Sequence, residues 1–124
     1  GELALGVRQV TEVVRKVDGA AQSTLEASQS LSLTAADLAD RADLLFHDGS
    51  YTAKEYPAKM GWGHSSVRDA IAFGKICKVK RLGIFHHEPM RTDEMLEDML
   101  EISLRVQKPK FPVEMCAEGM VYQL

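Results

Sequence analysis

The first 42 residues contain no proline, no aromatic residue, no cysteine and no histidine. An interior without proline is free to run as an uninterrupted helix. Without aromatics or histidine, it offers no large packing anchor and no imidazole for chemistry. All four prolines, all four histidines and every aromatic residue come later. The two cysteines, Cys77 and Cys116, stand far apart and form no CxxC pair, so free thiols in a reducing cytoplasm are expected, with a disulfide as the alternative. No apolar run is long enough to span a bilayer. The start, GELALGVRQVTEVV, lacks a basic n-region and a small-residue cleavage site, so no signal peptide is expected. It opens on Gly rather than Met, which suggests that Gly1 is not the natural start. A formal net charge of −3 argues against nucleic-acid binding or membrane-surface binding driven by charge alone. The length, 124 residues, suits one modest domain.

What the first segment does have is a heptad. With Leu3 at position a, that position repeats at Val10, Val17, Thr24, Leu31, Leu38 and Leu45. Position d falls on Val7, Val14, Ala21, Ser28, Ala35 and Ala42. All but Thr24 and Ser28 are apolar. A stripe this long predicts either a helix made for a helical bundle or an amphipathic helix packed on its own domain. Gly19 weakens it by about 1 kcal/mol relative to Ala.

The pattern changes near residue 43. DLLFHD (43–48) reads as a buried strand, and GSYTAKEYP (49–57) as a loop. Ser65 or Ser66 caps a helix over SVRDAIAFGKICK. VKRLGIFHH (79–87) is the next strand. Thr92 or Asp93 caps a helix with Met95, Leu96, Met99, Leu100, Ile102 and Val106 on its apolar side. FPVEMCAEGMVYQL (111–124) gives one or two closing strands. The predicted order is β-α-β-α-β, an α/β layer whose strand-end loops carry the chemistry.

The polar residues fall at those ends. Asp48 follows the first strand, and His86 and His87 end the second. Between them His64 is flanked by Gly61 and Gly63, which permit a sharp turn. Each has a bland alternative: Asp48 as a turn cap, and His87 as a group that supports its neighbour from behind or faces solvent. His47 is expected to alternate away from the site and bind backbone or solvent. Trp62 is expected to anchor packing.

Two resemblances add to this reading. GVRQVTEVVRKVDGAAQSTLEASQSLSLTAADLA resembles the return helix of the methyl-accepting chemotaxis protein signalling bundle, through its heptads and its Ala, Ser, Gln, Thr and Val content. LLFHDGSYTAKEYPAKMGWGHSSVRDAIAFGKICKVKRLGIFHHEPMRTDE, followed by AEGM, resembles the C-terminal part of a metallo-β-lactamase-fold hydrolase of the ribonuclease Z and phosphodiesterase branch. The second resemblance implies an αββα-type half-domain over residues 43–124; the heptads and the first resemblance imply a coiled-coil-like helix over residues 1–42 before it. It implies that Asp48 is the acid that pairs with a proton-donating His64, and that His86 is a metal ligand. The cofactor implied is zinc or another divalent metal, which in an intact parent would activate water and polarise a phosphoryl oxygen. In place of the Asp of an FHHDP motif stands Glu88.

The His-x-His-x-Asp-His cluster of such hydrolases does not occur in these residues, and a catalytic zinc ordinarily takes three protein ligands. The chain is therefore expected to be a phosphodiesterase-like hydrolase fragment, inactive alone and without a stably held metal. The alternative is a chemoreceptor-like signalling module with a structural α/β appendage. The partners expected are further copies of the chain or a helical-bundle partner, with no membrane segment.

Overall fold

The computed structural model describes residue 29 and residues 34–124. Two compact units divide the chain, Gly1–Ala35 and Ala36–Leu124. The second holds the sheet and its crossover helices. Most of the heptad helix, and with it the chemoreceptor-like stretch, lies outside the described residues.

Residues 34–39 are helical (α1). The helix does not continue through the last heptad positions. Ala42 is past its end and Leu45 opens a strand, while Leu38 is 83% exposed. The turn at Arg41, with φ 55°, stops the helix, and its N–H donates to Cys77 O at 2.7 Å. Ala39 is buried, and Ala36 and Ala42 pack beside it on the core.

Three strands form one parallel sheet in the order β1-β2-β3: β1 (Leu45–Asp48), β2 (Leu82–Phe85) and β3 (Val113–Met115). Parallel neighbours need crossovers. These are α2 (Tyr56–Lys59) with α3 (Val67–Cys77) between β1 and β2, and α4 (Asp93–Gln107) between β2 and β3. The β-α-β-α-β order expected from the sequence is present, with α2 added where the segment read as a loop ends. Glu55 and Thr52 close the approach to α2, Thr52 N–H donating to Glu55 Oε2 at 3.0 Å and Glu55 N–H to Thr52 Oγ1 at 3.1 Å.

Capping sets where the long helices begin. Ser66 Oγ accepts from Asp69 N–H at 3.0 Å, and Thr92 Oγ1 from Met95 N–H at 3.2 Å. Each leaves one fewer orphan donor in a first turn. Val67, Ala70, Ile71, Gly74 and Cys77 make the buried face of α3. That face meets Leu82 and Ile84 of β2, both fully buried. Gly74 sits close under Phe111: a Cβ there would meet Phe111 Cζ at 3.1 Å, tighter than ordinary contact.

Several expectations change. β1 is half-buried rather than buried, because one of its faces is open and Phe46 is 50% exposed there. The stripe assigned to α4 is split. Met99 is buried and Leu96 packs against the core, but Met95, Ile102 and Val106 face outward. Ser103 takes the buried position instead. Trp62 is no anchor: it is exposed on the Gly61–Gly63 turn, with Lys59 Nζ 4.1 Å from its ring centre.

Candidate functional site

The register of β1 on β2 builds the site. Asp48 ends β1 opposite Phe85, and Gly49 N–H donates to Phe85 O at 3.1 Å. His86, one residue past Phe85, therefore stands beside Asp48 at the C-terminal end of the sheet, where parallel α/β folds place their chemistry. Gly49 permits this approach, since a Cβ there would lie 2.3 Å from Ile84 Cγ2. His64 arrives from the far side of the Gly61–Gly63 turn, in which both glycines have φ 86°. Tyr51 pairs with Ser66 in a parallel bridge and ties the loop after β1 to the start of α3.

The three residues converge. Asp48 Oδ2 accepts from His64 Nδ1 at 2.8 Å and lies 3.2 Å from His86 Nδ1. The two imidazoles are stacked, with centroids 4.4 Å apart and planes 6° from parallel. Asp48 Oδ1 accepts Ser65 N–H at 2.9 Å and Ser50 N–H at 3.3 Å. Asp48 is thus both the turn cap and the partner of the histidines. Burial pushes its carboxyl up, but the bonds from Ser65 N–H, His64 and Ser50 N–H together outweigh it and hold the carboxyl below its ordinary 3.8.

His86 has φ 63°, a left-handed conformation that is costly for a residue with a side chain. Among the described residues the other non-glycine positions with positive φ, Arg41, Lys78 and Lys108, stand at helix ends; His86 does not.

The remaining histidines point elsewhere. His47 donates Nδ1–H to Asp48 O at 2.8 Å, and its ring packs on Phe73. His87 lies half-buried with Nε2 2.9 Å from Cys116 O, while its Nδ1 is buried without a partner. His86 faces Ser50 and Asp48 while His87 faces Cys116, so the pair His86–His87 is no chelate.

Three residues without a site role in the sequence pattern complete the site. Ser50, 2% exposed, has its hydroxyl 2.8 Å from His86 Nδ1 and 2.7 Å from His86 O. Ser65 supplies its N–H to Asp48. Arg91, whose side chain is 9% exposed, donates to Ser50 O at 3.1 Å and pairs with Glu55 at 2.6 Å, fastening the two strand-end loops together. Only Ser50 had a local signal, a Ser two residues after an Asp in a turn.

Asp48, His64 and His86 offer ligand atoms within 4.8 Å of one another. The donor set suits a divalent ion through the histidines better than through Asp48. The carboxylate already accepts two backbone N–H groups and His64, whereas an Nδ1–H on each imidazole leaves each Nε2 with a lone pair.

The described unit resembles the metallo-beta-lactamase fold protein YhfI from Bacillus subtilis, with a TM-score of 0.52 and 18% identity over 69% of this chain and 33% of that one. This likeness shows the fold, of which the chain carries part. In sequence the chain is 31% identical over 84 residues to a ribonuclease Z of Brevibacillus brevis, covering 68% of this chain and 26% of that protein. It is 38% identical over 58 residues to a ribonuclease Z of Thermoplasma volcanium, covering 47% and 19% respectively. The chain thus spans about a quarter or less of the curated relatives it matches. No protein-family model matches it. No helix among the described residues is long and apolar enough to cross a membrane.

Proposed function

We propose that residues 43–124 are the C-terminal part of a metal-dependent, phosphodiesterase-like hydrolase, supplying one metal ligand and one proton-transfer pair to a site that needs further ligands. The carrying observation is the meeting of Asp48 with two histidines at the ends of β1 and β2. The likeness to ribonuclease Z supports the reaction class.

His86 would hold the ion through Nε2, with Nδ1 engaged from behind. When bound, a zinc-type ion supplies Lewis-acid polarisation of a phosphoryl oxygen and acidifies water. His64 holds the transferable proton. Asp48 takes its Nδ1–H at 2.8 Å, orients the ring and stabilises the imidazolium. Nε2–H can then protonate the leaving oxygen and regain its proton afterwards.

One imidazole ligand does not fill a catalytic zinc site. The chain after dialysis is expected to hold less than one zinc and to leave bis-p-nitrophenyl phosphate intact. Mixing it with a ribonuclease Z segment that carries His-x-His-x-Asp-His tests the reading. Metal-dependent cleavage is expected only in the mixture, and is expected to fall at least ~100-fold with His64→Ala or His86→Ala. Two tightly held ions in the chain alone, with turnover lost in His86→Ala, would mean that the site is complete without that segment.

A further inference from the structure

We propose that Ser50 is a positioning residue for His86, fixing its ring and its backbone through one buried hydroxyl. The purpose assigned to that bonding rests on His86 being a metal ligand; the bonding itself does not.

The hydrogen bonds admit one consistent proton arrangement. Ser50 Oγ has one proton to donate and sits 2.7 Å from His86 O, which can only accept. The Asp48 oxygens lie farther from that hydroxyl, at 3.3 and 3.4 Å. With its proton on His86 O, Ser50 Oγ becomes the acceptor for His86 Nδ1–H at 2.8 Å. Asp48 Oδ2 is a weaker claimant at 3.2 Å and already receives His64 at 2.8 Å. His86 is therefore held as the Nδ1–H tautomer. Its Nε2 keeps the lone pair that a metal requires.

The same hydroxyl addresses the backbone. His86 adopts φ 63° away from any helix end among the described residues, a left-handed conformation that must be held by its surroundings. Donation from Ser50 Oγ to His86 O holds the carbonyl in that conformation. Ser50 is itself fixed: it is 2% exposed, its N–H is on Asp48 Oδ1, and its C=O is on Arg91. One small side chain thus sets both the tautomer and the direction of the ligand.

The test reads the ring carbon and nitrogen NMR signals of His86 at about pH 8, where an ordinary imidazole is neutral. Wild type, Ser50→Ala and Ser50→Thr are compared without metal, then titrated with zinc. The expected wild-type form is Nδ1–H. Ser50→Ala is expected to move His86 toward the Nε2–H form and to weaken zinc binding at its signal about 10-fold or more, with Ser50→Thr restoring both. An Nε2–H form in wild type would overturn the proposal, and needs no variant to fold. So would unchanged His86 signals in Ser50→Ala. If the tautomer behaves as expected but zinc leaves His86 untouched, the metal-ligand reading fails and takes with it the purpose assigned to the bonding, while Ser50 keeps its hold on the His86 ring. If only the Ser50→Ala arm fails, that reading stands and Ser50 alone loses its role.

Discussion

His64 and His86 stack face to face over one carboxylate, 4.4 Å between ring centres, although 22 positions separate them in sequence (86 − 64). Asp48 Oδ2 accepts from His64 Nδ1 at 2.8 Å and lies 3.2 Å from His86 Nδ1, so one carboxylate faces both rings. Asp48→Asn keeps the shape and removes the charge. It is expected to separate the rings and destabilise the fold by about 1–3 kcal/mol, read from urea unfolding and from ring-current shifts.

Acid should act on the same group. The Asp48 carboxyl titrates lower in the folded chain than its ordinary 3.8, so the unfolded chain binds more protons in that range. Its contribution is present above about pH 4 and is lost as pH falls through the depressed native value. Glu55 is lowered too, by Arg91 first and then by Thr52 N–H, and adds in the same direction. Urea midpoints measured from pH 6 down to pH 2 are expected to fall, with a shallower fall in Asp48→Asn.

Which parts of this site could be read from the sequence follows from the range of the contacts. Asp48 and His86 were legible because strand ends are local features, and His64 because two glycines frame it. Arg91 was not, and Ser50 only as a turn residue, since their contacts with Ser50 and His86 span 41 and 36 positions and depend on the register of β1 on β2. The roles of Trp62 and of Ile102 were misread for a related reason. Hydrophobicity says that a side chain favours burial, not whether a neighbouring layer stands on that side.

Gly49 is a steric test of the register. Adding one methyl group drives it into Ile84 Cγ2. Gly49→Ala is expected to cost about 1–3 kcal/mol and to shift the Ser50 and His86 amide signals together. A neutral substitution would show that the loop after β1 can move off β2.

The open face of the sheet bears on assembly. Phe46 and Phe85 are 50% and 45% exposed, and β1 and β3 are both edges among the described residues. Apolar faces and unpaired edges promote association. Sedimentation velocity is expected to show concentration-dependent self-association, reduced by Phe46→Ser. A monomer unchanged up to high concentration would remove it.

The thiols should differ. Cys77 is 2% exposed and its ionisation is pushed up by burial and by Asp40, so alkylation in the folded state is expected to be slow. Cys116 is only half-buried and is expected to react first, as read by peptide mass mapping over time.

The central claim is that the end of this sheet presents a metal-ligand histidine, and a zinc titration followed at all four histidine rings tests it most directly. His86 is expected to respond first and His64 next, with His47 and His87 silent and the response abolished in His86→Ala. Zinc that perturbs His47 or His87 equally, or leaves His86 unchanged, would contradict the assignment of this site.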